Sequence, residues 1–214
     1  MYVIDNNSLD CTPRLFDNET AVTLVETGKN LGFGAAHNVA IKKGVGKYHF
    51  IINPDIAVGT DILSDIADFM EENPDVVLAM PNILNSDGSV QFLPKKIPTL
   101  KYVFLGRMSE KVRDEYVMKN ELSGKTEEID FCSGCFMCIK GDVFEKLGGF
   151  DERYFMYMED VDLTLRAKKY GKTVIVPEFS VRHLWKRESA KNLKMFFMHI
   201  ISIIKFFIRK RELV

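Results

Sequence analysis

The sequence predicts an α/β layered domain built on a largely parallel sheet, and three observations carry the prediction. Short β-rich apolar runs at 1–5, 21–27, 48–52 and 76–81 alternate with longer stretches of helical spacing, the pattern of strands joined by helices. The run "YHFII" (48–52) is short and continuously apolar, as expected of a strand covered on both faces. With 214 residues, 46% of them apolar, the chain can bury one sizeable core plus at most an appendage.

The elements follow in order. "MYVID" opens as a strand and "NNS" breaks it as a turn. "AVTLVET" reads as the second strand. "NLGFGAAHNVAIKK" (30–43) is a glycine-containing loop entering a helix, with Ala36, Val39 and Ala40 on its inner face. The third strand, in "YHFIINPD", stops at Asn53-Pro54. "TDILSDIADFMEEN" places Ile62, Ile66, Phe69 and Met70 at helical spacing, and "VVLAMP" is the next strand. Residues 92–128 are charged and irregular, which suits either a binding loop or a solvated excursion. The pattern then resumes with "IDFCSGCFMCIK", a short helix "DVFEKLG", the segment "YFMYMEDVDLTLR" (154–166), and strands in "KTVIVP" and "FSVRHLW". No internal repeat or low-complexity linker interrupts it.

A net charge of −1 with 28% charged residues describes an ordinary globular protein and argues against a general nucleic-acid binder. No basic n-region followed by an apolar run opens the chain, so no signal peptide is expected. Cys132, Cys135 and Cys138 have a spacing that superficially suggests a metal or iron–sulfur site. On a continuous strand, however, Cys132 and Cys138 would share a face while Cys135 pointed away. Buried cysteines acting as small hydrophobes in a reducing cytoplasm are the expectation, with a redox or iron–sulfur protein as the rival.

Ligands of open α/β sheets bind at the carboxyl ends of the strands. Two places qualify, Asp5-Asn6-Asn7 and Asn53-Pro54-Asp55. An aspartate there can accept a hydrogen bond from a ring N–H or ribose hydroxyl, or hold a divalent cation against a diphosphate. Both are also good turn sequences. Glu159, Asp160 and Asp162 fall within four positions beside an aromatic and methionine-rich run. Acids favour the first turn of a helix, where free N–H groups and the dipole stabilise negative charge. The spacing of Asp162 and Arg166 gives a surface ion pair.

Taken in order, "VIDNNS", "NLGFGAAHN", "FIINPDI", "GGFDERYFMYMEDVDLTLRAKKYG" and "VPEFSVRHLWKRES" resemble the inverting GT-A glycosyltransferases of the large glycosyltransferase family 2. The rhamnosyltransferase-like branch, which builds bacterial surface polysaccharides, is the nearest likeness, over roughly residues 1–190. The resemblance implies transfer of a sugar, rhamnose being the branch's commonest suggestion, from a nucleotide-diphosphate donor to a lipid-linked or polysaccharide acceptor. It implies Asp5 and Asn7 at the base or ribose, and Asn30, Gly32, Asn38 and Asn53 along the donor pocket. Asp55, in company with His183, would hold Mg²⁺ or Mn²⁺; the alternative for His183 is a strand-end histidine partly covered by Trp185. Inverting transfer needs charge neutralisation at the leaving diphosphate and a carboxylate opposite it to take the acceptor proton. The resemblance assigns that base to Asp160, with Glu159 orienting the acceptor and Asp162–Arg166 as a structural pair.

Relatives of this type carry a further strand and helix before the segment matching "VIDNNS". The unit lies upstream, is supplied by another chain, or is lost. Loss would make the protein a non-catalytic, membrane-associated partner or scaffold.

The division expected is a catalytic core over 1–190, with 92–128 on the acceptor side, and an amphipathic helix over 191–214. On that helix Lys191, Lys194, Ser202, Lys205 and Arg209 fall on one narrow stripe among apolar residues. Such a helix suits peripheral contact with an anionic membrane, at the inner face of the plasma membrane. Packing on its own domain, or on a second subunit in a homo-oligomer, is the alternative.

Overall fold

The computed structural model describes all residues except 17, 18, 60, 107, 185–192 and 214. Strands β1 (Tyr2–Asp5) and β2 (Thr23–Glu26) pair in parallel and form a sheet of their own. Helix α1 (Phe33–Ile41) follows, then β3 (Tyr48–Ile52), the two-residue β4 (Ile56–Ala57) and α2 (Ile62–Glu72). The central strand β5 (Val76–Leu84) is buried over most of its length.

Short helices α3 (Leu100–Leu105) and α4 (Glu110–Tyr116) occupy the region read as irregular, and β6 (Glu127–Glu128) closes it. Thr99 caps α3 and Ser109 caps α4 through their hydroxyls, hydrogen bonds that satisfy N–H groups lacking a helical partner. Helices of six and seven residues leave too little periodicity to stand out in a charged sequence. Then come β7 (Phe136–Lys140), α5 (Gly141–Lys146), α6 (Glu159–Ala167), β8 (Lys172–His183) and α7 (Leu193–Leu213).

The larger sheet has the order β3-β7-β5-β8-β4, with β6 also on β8. β7 is antiparallel to both β3 and β5, while β5 and β8 are parallel. Three of the four long strands therefore run one way, with β7 reversed among them. β8 is one strand rather than two, because a register shift opposite Pro81 and Asn82 absorbs residues 177–179 without ending the pairing.

β3 is less covered than expected. Only Ile51 is fully buried, since β3 pairs with β7 on one side and forms the edge of its sheet.

The main core joins Ile62, Ile66 and Met70 of α2 to β5, β7 and β8, the inner-face periodicity of α2 realised. On α1 the inner face is Gly34, Ala36, Asn38 and Ala40, with Val39 half-buried. Cys132, Cys135 and Cys138 are all buried and free, and only Cys138 lies within a strand. Burial pushes all three thiols up, that of Cys135 to about 11, and no cluster of three or more metal-ligating side chains occurs among the described residues. The iron–sulfur alternative has no support here.

α7 carries the largest surprise. Ser202, Lys205 and Arg209 of its polar stripe engage the protein, while Lys194 is exposed. Ser202 Oγ donates to Met156 O at 2.7 Å, Lys205 Nζ donates to Arg153 O, and Arg209 pairs with Asp151 and with Asp162. Phe206 is fully buried against Phe131, Tyr154, Met158, Val161 and Leu165. The apolar flank points outward through Leu193, Phe197, Ile201, Ile204 and Ile208. Lys191 of the expected stripe lies outside the described residues. No described helix is long and apolar enough to cross a membrane.

Candidate functional site

The expected site residues gather where the carboxyl ends of β1 and β3 approach the start of α6. Asp5 ends β1 nearly buried, both carboxylate oxygens accepting from Ser8 N–H at 3.1 and 3.3 Å. Asn7 beside it is exposed and left-handed at φ 69°, a conformation asparagine tolerates better than most residues. Asn6, placed at this strand end by the sequence but given no role of its own there, ties this turn to the next loop. Its Nδ2 donates to Asn30 Oδ1 at 3.2 Å and Gly32 O at 3.1 Å, and its Oδ1 accepts from Leu31 N–H at 2.8 Å. Asn30 Oδ1 also accepts from Gly32 N–H at 3.0 Å. The only signal for Asn6 was its place in an asparagine pair after a strand.

Gly32 is required sterically. Its φ is 87° and a Cβ would meet Phe155 O at 2.2 Å, while Phe33 N–H donates to that same oxygen at 2.9 Å. The loop entering α1 is thereby welded to the segment preceding Glu159. Asn38 is corrected: it does not line a pocket. Its Oδ1 accepts from Phe150 N–H and its Nδ2 donates to Phe150 O, both at 2.8 Å, and Nδ2 also donates to Glu152 Oε1. A buried amide so engaged is a clamp between α1 and residue 150.

Tyr157 and Met158 are both left-handed, at φ 70° and 68°. Such conformations cost about 1–3 kcal/mol each and persist only where surrounding contacts impose them. The residues just before them are held by Gly32 and Phe33 at Phe155 O, by Ser202 at Met156 O and by Lys205 at Arg153 O. α6 starts at once, with Glu159, Asp160 and Asp162 in its first turn and no side-chain cap.

The three acids have different surroundings. Asp160 is half-buried; its Oδ2 accepts from Gly134 N–H at 3.2 Å and its Oδ1 from Val161 N–H at 3.0 Å. Burial raises its pKa, opposed by the Lys95 charge and by these N–H donors. Glu159 is buried with Oε2 lacking a hydrogen-bond partner among the described residues; burial, then the Asp160 charge, raises its pKa. Asp162 is fully buried, so the surface pair expected with Arg166 is corrected to an internal one. Arg166 Nε donates to Asp162 Oδ2 at 2.7 Å and its other nitrogens to Leu147 O and Gly149 O. α5 and the glycine turn after it enclose the pair, which helical spacing alone could not foresee.

The ends of β3 and β7 meet this helix start. Asn53 N–H donates to Cys135 O at 2.9 Å, beside Gly134. Asp55, in the turn before β4, lies with Oδ1 3.3 Å from His183 Nε2 at the end of β8. His183 Nδ1 is 2.9 Å from Gln91 Oε1. Trp185, the expected cover of His183, lies outside the described residues. Burial first, and then the negative charges of Asp160 and Asp55, raise the Cys135 thiol.

Beyond its 3.3 Å approach to His183 Nε2, Asp55 Oδ1 is buried without a hydrogen-bond donor among the described residues. Such an oxygen beside an imidazole nitrogen fits a divalent cation whose remaining positions are filled by phosphate oxygens and water. Lys95, also missed by the sequence reading, has its Nζ 4.8 Å from the Phe131 ring centre. Its pKa is lowered by burial against the opposing Asp160 charge.

The family described as Glycosyltransferase like family 2 matches residues 6–206. The chain is 32% identical over 197 residues to the N-acetylglucosaminyl-diphospho-decaprenol L-rhamnosyltransferase of Mycobacterium tuberculosis (strain H37Rv), covering 84% of this chain and 64% of that protein. The chain thus spans under two thirds of that relative's length. It is 27% identical over 201 residues to rhamnosyltransferase WbbL of Escherichia coli K12, covering 87% of this chain and 74% of that one. Among solved structures, the mannosyltransferase PcManGT from Pyrobaculum calidifontis, in complex with GDP-Man and Mn²⁺, superposes with a TM-score of 0.60 at 17% identity. That likeness covers 95% of this chain and 54% of the mannosyltransferase. At this identity it is a likeness of fold, the GT-A α/β fold.

Proposed function

We propose that this chain, which belongs to glycosyltransferase like family 2, transfers a sugar with inversion from a nucleotide-diphosphate donor to a lipid-linked acceptor in cell-surface polysaccharide synthesis. The observation that carries the reading is the meeting of the β3 end with the start of α6: Asn53 N–H donates to Cys135 O beside Gly134, whose own N–H donates to the half-buried Asp160. Two relatives named as rhamnosyltransferases, one of them named for a diphospho-decaprenol substrate, support rhamnose as the sugar and a lipid-linked rather than free polysaccharide acceptor.

In this reading Asp5 accepts a hydrogen bond from the base or ribose, and Asn7, Asn30, Gly32 and Asn53 shape the donor side. Asp55 and His183 hold Mg²⁺ or Mn²⁺, which when bound offsets charge on the leaving diphosphate. Asp160 takes the proton of the attacking hydroxyl while Gly134 N–H fixes its orientation. The raised pKa makes Asp160 a stronger base than a solvated aspartate. Glu159 orients the acceptor. The outward apolar face of α7 makes peripheral contact with the inner face of the plasma membrane, where a lipid-linked acceptor resides.

A second reading, a non-catalytic partner, draws on one observation: β1 and β2 stand in a sheet separate from the one that carries Asn53 and Asp55. Calorimetric titration with uridine and thymidine diphosphates, with and without Mn²⁺, on wild type and Asp55→Ala separates the two. Metal-dependent binding lost in the variant supports the transferase. A folded protein that binds neither nucleotide leaves the non-catalytic reading.

A further inference from the structure

α3 and α7 enclose an open apolar groove of about 540 Å³, lined by Leu100, Val103 and Phe104 on one side and Ile204, Phe207 and Ile208 on the other. Its walls are exposed: Phe104 is 67% and Ile208 72% accessible. A contiguous exposed apolar surface of this kind marks a binding or membrane face. The groove is tied directly to the site. Ile203, which also lines it, packs with Ile97 against the buried cluster that includes Met158 and Val161, and Lys210 Nζ donates to Pro98 O at 3.1 Å.

The segment leading into α3 links the groove to Asp160. Lys95 lies five residues before Leu100, so the chain between them spans at most about 17 Å. Among the described residues Lys95 Nζ makes no hydrogen bond or ion pair, only its contact over Phe131. A half-buried ammonium in that condition costs free energy unless an anion completes it. Asp160 does not complete it, being beyond ion-pair distance. Every other lysine in this region that the described contacts engage has an oxygen partner: Lys96 with Glu121 and Lys101 with Glu115.

We propose that this groove and Lys95 form one acceptor site, the groove taking the hydrocarbon tail of a polyprenyl phosphate and Lys95 its phosphate. The inference rests on the transferase reading for the identity of that lipid as an acceptor. A tail lying between α3 and α7 leads its headgroup along Ile97 toward Lys95. The first sugar beyond the phosphate then reaches Asp160. The partner is a lipid rather than a second copy of this chain because the segment 95–104 carries both an exposed apolar groove wall and a lysine without an oxygen partner among the described residues, which matches an amphiphile with one anionic head.

The test is co-sedimentation with phosphatidylcholine vesicles carrying either a polyprenyl phosphate or an equal charge of phosphatidylglycerol. Wild type is expected to prefer the polyprenyl phosphate vesicles by about tenfold, the worth of one charge-assisted hydrogen bond. Lys95→Met should lose that preference, Lys95→Arg should keep it, and Ile204→Glu should lose binding to both vesicles. Equal retention of wild type on the two vesicles overturns the proposal, as does a preference that survives in Lys95→Met. A lipid-free dimer that Ile204→Glu dissociates would assign the groove to a second copy and also overturns it. Nucleotide titration of the same samples reads the transferase hypothesis separately: lipid preference without nucleotide binding would remove the transferase and leave a lipid-binding protein.

Discussion

Gly134 N–H donates to Asp160 Oδ2 at 3.2 Å, and this contact joins the loop before β7 to the first turn of α6. It holds one carboxylate oxygen in place while leaving the group half-buried rather than sealed. Asp162, two positions on, is completely enclosed and engaged by Arg166 and Arg209. One helical turn thus carries an acid available to a substrate and another committed to structure.

Asp160→Asn preserves shape and an oxygen acceptor for Gly134 N–H, but removes the carboxylate proposed as the base. The rate of sugar transfer should fall by about 10²–10⁴-fold, with nucleoside diphosphate affinity unchanged. Steady-state kinetics beside calorimetric titration would read both. A variant that keeps full activity would take the base away from this residue.

Glu159 makes stability depend on pH. Its pKa is raised in the folded protein, so the folded state holds its proton more tightly than the unfolded chain. The resulting stabilisation is full below the ordinary carboxylate range and is lost as pH rises through the raised value. Glu159→Gln removes that loss. Thermal melts of the two proteins should diverge increasingly in favour of the variant as pH rises from 4 to 9. A constant difference across the range would mean that Glu159 is not perturbed.

Asp162→Ala should unfold the protein far more readily than it alters ligand affinity. Removing the carboxylate leaves buried guanidinium charge uncompensated, a loss of about 3–5 kcal/mol. For a chain of this size that is a melting-temperature fall of about 2–4 °C per kcal/mol. Calorimetric melting measures it, and a fall no larger than that of a surface substitution would show the pair to be dispensable.

Gly32→Ala and Gly28→Ala form a contrast. Both positions have positive φ, 87° and 69°, but a Cβ at Gly28 meets nothing within 4 Å while one at Gly32 collides with Phe155 O at 2.2 Å. Gly28→Ala should cost only about 1–2 kcal/mol of backbone strain. Gly32→Ala should in addition displace residues 155–158 and depress transfer. Equal activity of the two variants would separate the Gly32 contact from the site.

Much of this was readable from residue types and spacing. The α2 face of Ile62, Ile66 and Met70 is a periodic signal that any buried neighbour satisfies, and it appears as written. Asp5, Asn53 and Asp55 lie at strand ends because turn-forming residues after apolar runs end strands. Asn38 illustrates the other case. A polar residue on a helix announces neither a ligand nor a clamp, and the choice was made by the backbone groups of Phe150, distant in sequence, that needed partners. Lys95 gave no local signal and Asn6 only its place in an asparagine pair after a strand, since their meaning depends on Phe131, Asp160 and Gly32, which arrive from other elements.

α7 shows where the division falls. Its sequence by itself determined a long helix with one narrow polar stripe and a wide apolar surround, because those are properties of side-chain order and a 3.6-residue turn. It did not determine which side faces the protein. The tertiary structure decided that the C-terminal part of the polar stripe meets the protein, because Asp162, Asp151 and the carbonyls of Arg153 and Met156 offer Arg209, Lys205 and Ser202 hydrogen-bond and ion-pair partners. The apolar flank was left outside for the same reason, since a helix can satisfy those carboxylates and carbonyls with only one of its faces.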